Sequence, residues 1–265
     1  MTTTLLQSPN GHRLDAECRA IADELGRLGQ SYQIAATSQL SRNRVDSTRF
    51  DLVVGDLTFV KQALNQRNLE MPADDCYPLA LRNYLKREVW QGTLIQARYR
   101  AVHEPVFVKP SLRTKRFTGL VLNGDNDYRL HGIPDKEPVW MSEVVHWRSE
   151  ARAYILHGKV LRLALYAGDP GSAPDEEFVR LVVETLNQRA DSPGAYSLDV
   201  GVLSDGQTAL IEMNAAYSIG LYQGMPGAEY HAFLKAGWAD LLKSAQPRPQ
   251  KGLYKASEQH DDRQT

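Results

Sequence analysis

The sequence predicts an α+β protein whose first third is an α/β lobe, and three observations carry that prediction. Strands alternate with amphipathic helices over the first hundred residues. Short strands of antiparallel type, separated by turn residues, fill the middle of the chain. A tight hairpin, Ser197–Leu203 and Thr208–Met213 about Ser204-Asp205-Gly206, closes the series.

Each element has a local reason. Leu14, Cys18, Ile21, Ala22, Leu25 and Leu28 recur at helical spacing, and Gly26 and Gly29 mark the helix end. Ser31–Thr37 and Phe50–Gly55 follow as strands, the second of them buried. Asp56–Asn68 reads as a helix, and so does Tyr77–Trp90, with Pro78 in its first turn. No glycine fingerprint of the dinucleotide-binding kind follows either strand, so this lobe shows no chemistry by itself. Pro105–Lys109 is a short strand ending in a lysine, and the loop Ser111–Gly119 holds Arg113, Lys115 and Arg116. Leu120–Leu122 and Val139–Val145 are strands, and Arg152–His157 pairs with Lys159–Tyr166 about His157-Gly158. After the turn-rich Gly168–Ala173, Asp175–Ala190 is a helix with Phe178, Leu181, Val182 and Leu186 inward. Tyr230, Phe233, Leu234, Trp238, Leu241 and Leu242 make the apolar face of a last helix. From Gln246 the chain is polar with scattered Pro and reads as a disordered tail, 246–265.

Composition narrows the function classes. The chain has 265 residues, 42% hydrophobic and 24% charged, with a net charge of −1, so it carries no electrostatic footprint for nucleic acid or a membrane surface. Cys18 and Cys76 have neither metal-ligand spacing nor the density of a secreted scaffold. The N-terminal stretch lacks a basic region followed by an apolar core, and the expected location is cytoplasmic.

Chemistry gathers in two places. Alternation along a strand points Glu212 and Asn214 the same way, and a short turn brings Asp199 near them. Two carboxylates and an amide are hard oxygen donors, which suit Mg²⁺ rather than zinc. Four cations, Lys109, Arg113, Lys115 and Arg116, lie close together. They are either a solvated charge run or a clamp for a polyanion. Bland alternatives stand beside these. Glu143 and Arg152 would serve as cross-strand ion pairs worth at most about 1 kcal/mol, and Asn214 as a turn residue. The seven histidines form no H-E-x-x-H arrangement, and Ser142, Ser197 and Ser218 lack a nucleophile-elbow context.

The stretches VVGDLTFV, VFVKPSLRTKRFTG, SEVVHWRSEARAY and YSLDVGVLSDGQTALIEMNAAYSIGLY occur in one order. Together they resemble the blocks of the ATP-grasp superfamily, and more closely its R-two-K clade, over roughly Val53 to Tyr222. The resemblance implies the ATP-grasp fold, with ATP held between two α+β lobes. It implies that Lys109 and Lys115 contact the ATP phosphates and that Glu143, Val144, Val145 and His146 form the hinge whose backbone reads the adenine edge. Glu150 would hydrogen-bond the ribose, and Asp199, Glu212 and Asn214 would bind Mg²⁺. Arg152 matches the clade's arginine, facing the γ-phosphate or an acyl phosphate, and Arg152 and Lys115 are the catalytic candidates. Tyr217, Tyr222 and Arg162 are candidates for the acceptor side or for core packing, and His146 and Trp147 for covering the adenine or packing at the lobe interface.

The implied activity is an ATP-dependent carboxylate–amine ligase acting on small-molecule or peptide substrates, without nucleic acid or membrane. A kinase-like phosphotransferase and a non-catalytic nucleotide-binding module remain the alternatives. The implied organisation is an N-terminal lobe (1–100), a small lobe with the phosphate-clamp loop (101–150) and a C-terminal lobe with the metal site (151–245).

Overall fold

In the computed structural model, residues 3–10, 12–73, 75–111 and 116–248 are described. The chain begins with a strand that the sequence did not announce: β1, Thr4–Gln7, four buried residues without alternation. It is flanked in parallel by β2 (Tyr32–Ala35) and β3 (Leu52–Val54) in the order β2-β1-β3. Helix α1 (Ala16–Arg27) is capped by Asp15, whose carboxylate accepts the Cys18 N–H, and buries Cys18, Ile21, Ala22 and Leu25. After the short α2 (Thr37–Ser41), α3 (Leu57–Gln66) starts from the Asp56 cap. The two-residue strand β4 (Leu69–Glu70) ends this lobe's own chain.

The predicted helix Tyr77–Trp90 is not formed as such. Pro78 opens a 3-10 turn over Leu79–Tyr84, and Lys86 takes a left-handed backbone (φ 53°), which stops helical winding. The β-forming Val89 and Trp90 then extend into β5 (Val89–Thr93). Together with α4 (Leu94–Ala101), β6 (Val106–Pro110), β7 (Leu120–Leu122) and β8 (Pro138–Ser142), it builds an antiparallel sheet in the order β5-β8-β6-β7. Leu94, Ala97, Val106, Val108, Leu122 and Val139 form its core. Pairing of β5 with β8 thus draws residues from Val89 onward into the small lobe, ahead of the boundary read at residue 100.

A third sheet, β10-β9-β11-β12, is fully antiparallel. Its strands are β9 (Trp147–Leu156), β10 (Lys159–Gly168), β11 (Ala195–Leu203) and β12 (Thr208–Ala215). His157 (φ 48°) and Gly158 (φ 73°) turn the first hairpin in the left-handed conformation that a two-residue loop demands. Helix α5 (Glu176–Asn187) buries Val179, Val182, Val183 and Leu186 against this sheet. Leu181 falls off that stripe and is half exposed, contrary to the predicted inward set.

The long α6 (Gly227–Ser244) returns to the first lobe and packs on α1. Its Tyr230, Phe233, Trp238 and Leu241 share one core with Leu5, Ile21 and Val54. The predicted tail starts too early, because Gln246 and Pro247 form β13 and pair with β4. The remainder of that tail, residues 249–265, lies outside the described residues.

Candidate functional site

β6 brings Lys109 to the end of the small lobe's sheet, and β12 brings Glu212 to the facing sheet. The two meet across the lobes, Lys109 Nζ standing 2.5 Å from Glu212 Oε2. One strand further in, Arg152 on β9 lies opposite Asp199 on β11. Its fork holds both carboxylate oxygens, with Nε–Oδ1 and Nη2–Oδ2 each at 2.7 Å. The register Asp199↔Glu212 sets the two acids side by side. Asn214 bridges them, its amide nitrogen 3.2 Å from Glu212 Oε1 and 3.5 Å from Asp199 Oδ2. The three oxygen-bearing side chains expected to converge therefore do so.

The electrostatics follow from burial. Asp199 is only 4% exposed. Burial pushes its carboxyl above the ordinary range, while Arg152 opposes the shift. Burial also works against the Glu212 carboxylate, yet Lys109, with Asn214 and Arg152, outweighs it and holds the carboxyl below its usual value. The same burial opposes the Lys109 charge, but Glu212 and its other neighbours outweigh it, and the ammonium stands above the ordinary lysine range. Two acids are thus matched by two cations. Among the described residues no group of three or more His, Cys, Asp or Glu side chains is placed to hold a metal ion. The donor set is two carboxylates and one amide, all hard oxygens, and it fits Mg²⁺ once the Asn214 amide turns its oxygen inward.

The linker between β8 and β9 is residues 143–146. Glu143 is fastened at both ends of its residue, its amide donating to the Glu88 carbonyl and its carboxylate accepting the Glu88 N–H at 2.9 Å. The His146 carbonyl accepts the Ser204 N–H. Within the expected four-residue hinge, Glu143 N–H and His146 C=O are therefore already engaged. The amides and carbonyls of Val144 and Val145 take no hydrogen bond among the described residues. Glu150 Oε2 accepts the Tyr166 hydroxyl at 2.9 Å, and burial with the nearby Asp199 and Glu150 holds that phenol protonated. Trp147 lies on Gly201, where an added Cβ would come within 2.5 Å of the indole.

Several contributors escaped the sequence. Tyr77 lies under the Lys109 ammonium, 4.5 Å from ring centroid to Nζ. Arg87 donates to the Leu210 and Ile211 carbonyls and so ties down the outer edge of β12, just before Glu212. Their partners stand far away in sequence, so no local pattern reveals them. Tyr222 and Tyr166 stack at 4.9 Å beside the Arg152 guanidinium, which sits 5.1 Å from the Tyr222 ring. Of the acceptor-side candidates, Tyr222 thus reaches the site, while Arg162 lies against Gly224. Lys115, named for phosphate contact and catalysis, and Arg113 lie outside the described residues.

Comparison with known proteins bears on the fold. The solved structure of D-cycloserine synthetase DcsG superposes with a TM-score of 0.62 at 13% identity, over 91% of this chain and all of that one. N5-carboxyaminoimidazole synthetase from Staphylococcus aureus gives 0.53 at 11% identity, over 89% of this chain and 77% of that one. D-alanyl-alanine synthetase A from Vibrio cholerae gives 0.51 at 14%, over 92% and 98%. At these identities the likeness concerns the fold. No curated protein matches the sequence. Among the described residues, no helix is long and apolar enough to cross a membrane. Residues 84–233, more than half of the chain, match the ATP-grasp domain of the R-two-K clade, family 2, and the chain belongs to that family.

Proposed function

We propose that the protein is an ATP-dependent carboxylate–amine ligase working through an acyl phosphate. One observation carries the reading: Lys109, Arg152, Asp199, Glu212 and Asn214 converge between two sheets, beside a linker with unused backbone donors and acceptors. The three similar structures are all of synthetases, which agrees with bond formation.

Phosphoryl transfer asks a protein for positioning and charge rather than covalent help. In this reading Val144 and Val145 offer their N–H and C=O groups to the adenine edge, and Glu150 Oε1 faces the ribose. Lys109, on a rigid strand, and Arg152, with its planar fork, meet the phosphates. Asp199, Glu212 and Asn214 would hold Mg²⁺, which when bound supplies further neutralisation of the triphosphate. A substrate carboxylate oxygen attacks the γ-phosphorus. The new O–P bond forms while the bond from that phosphorus to the β,γ-bridging oxygen breaks, and ADP leaves. An amine lone pair then attacks the acyl carbon. The carbon–oxygen bond to phosphate breaks, inorganic phosphate departs with the electron pair, and the nitrogen releases a proton. Arg152 stabilises charge developing on the transferred group.

Hydroxylamine intercepts acyl phosphates as hydroxamates. With ATP, MgCl₂ and a mixture of amino acids, the wild-type chain is expected to give hydroxamate. Arg152→Lys, which keeps the charge and loses the fork, should give on the order of a hundredfold less. ATP consumption with phosphate retained on a hydroxyl acceptor and no hydroxamate would contradict the reading.

A further inference from the structure

β12 changes phase in its middle, immediately before Glu212. Val200 pairs with Leu210, and Asp199, the residue before it, pairs with Glu212, so Ile211 has no partner on β11 and forms a β-bulge. The residues on either side of the bulge serve different faces of the sheet. Leu210 and Met213 lie in the core against α5, with Leu198 and Val200. Glu212 and Asn214 lie on the opposite face, with Asp199. In a regular strand residues i and i+2 share a face. Leu210 and Glu212 would then point the same way, which would put the carboxylate in the apolar core or the leucine in the charged site. The one extra residue separates them.

A bulge takes backbone groups out of the ladder, and β12 is the outer strand of its sheet, so these groups need partners from elsewhere. Arg87 supplies them. Its Nη1 donates to the Leu210 carbonyl at 2.8 Å and its Nη2 to the Ile211 carbonyl at 2.9 Å. On the far side of Glu212 the Cys76 carbonyl accepts the Met213 N–H at 3.0 Å. Glu212 is thus clasped before and after. The fork is itself held in place. Leu85, whose carbonyl also accepts from Nη1, is buried in the core against α5. The Glu88 N–H is tied to the Glu143 carboxylate, and the Trp147 ring lies 5.5 Å from the guanidinium carbon. A planar fork of fixed geometry can hold two successive carbonyls at once, which a lysine ammonium on a flexible stem cannot.

We infer that Arg87 is a positioning residue: by holding the Leu210 and Ile211 carbonyls it fixes the bulge, and the bulge turns Glu212 toward Lys109 and the candidate metal site. The inference rests on the nucleotide and metal reading only for what Glu212 would bind there. The turn itself belongs to the free chain, where Glu212 meets Lys109.

The test uses the full chain and begins without nucleotide. In the wild-type background Lys109→Met should restore stability lost to Glu212→Ala, because the two side chains meet. Arg87→Lys keeps the charge and loses the fork. In that background Glu212 no longer faces Lys109, so Lys109→Met should restore none of the loss, read from urea midpoints. A residue that merely adds stability would lower every midpoint alike and leave the restoration intact. The second readout is the Mg²⁺ concentration that gives half of the Mg·ATP thermal shift. Arg87→Lys should raise it about tenfold or more, the usual cost of losing a group that orients a metal ligand, and leave the shift by ATP alone unchanged. Arg87→Met, which keeps the stem and loses every donor, is the second variant and should behave alike. Intact restoration, or an unchanged Mg²⁺ requirement where the wild type shows a Mg·ATP shift, would overturn the assignment. Failure of both variants to fold would overturn it too, since Arg87 would then serve the fold and not the aim of one side chain. Loss of the restoration in a protein whose wild type shows no Mg·ATP shift would support the positioning role and count against the nucleotide reading instead.

Discussion

Glu212 shows how one side chain serves two ends. It is read from the sequence as a metal ligand, and it also neutralises Lys109, whose side chain is only 14% exposed. Glu212→Ala therefore removes activity and strands a buried cation, costing about 1–3 kcal/mol of stability. Adding Lys109→Met should recover most of that stability and none of the activity, which urea unfolding and phosphate release measure separately. The pH dependence has a definite sign. Glu212 is held below its unfolded value in the folded protein, so its contribution is complete above the ordinary glutamate range and lost as pH falls through the lowered folded value. A carboxyl-carbon NMR titration of Glu212 should show that depressed midpoint, and Lys109→Met should raise it. An unmoved midpoint would mean the ion pair does not hold the charge. At this scale strand alternation put Glu212 and Asn214 on one face, and the short turn of the hairpin brought Asp199 near them. Tyr77 and Arg87 were illegible because only the tertiary fold brings them to β12.

Elements were legible where periodicity and turn chemistry agreed. The hairpins about His157-Gly158 and Ser204–Gly206 formed where the turn residues demanded them. β1 gave no signal, since four successive buried residues carry no alternation. Tyr77–Trp90 misled because helical spacing survived on paper across Lys86, whose backbone breaks it. The element that positions the site from behind is α6. At Gly237 an added Cβ would sit 2.0 Å from the Ala216 carbonyl oxygen, two residues past Asn214. Gly237→Ala should force α6 away from the segment that follows β12 and lose about 1–3 kcal/mol. Thermal unfolding checks this, and an unchanged Tm would show that the helix does not press on that segment.

Over the whole molecule, the α+β class followed from the pattern of strands and helices, and the ATP-grasp fold from the resemblance that four sequence blocks carry. The lobe edges did not, because sheet pairing, not local pattern, assigns Val89–Thr93 to the small lobe, and core packing assigns α6 to the first. The resulting design is one of paired charges, two acids and two cations held between sheets, and in the proposed function each would exchange its partner for a phosphate or a cation. Nucleotide binding should therefore stabilise the chain, by about 2.7 kcal/mol at a hundredfold excess over Kd.

The most direct measurement of the central claim is ³¹P NMR of Mg·ATP turnover with amino acids as carboxylate and amine donors. The account predicts ADP and inorganic phosphate in equal amounts, produced only when carboxylate and amine are both present. ADP accompanied by a stable phosphorylated product, or AMP with pyrophosphate, would contradict it.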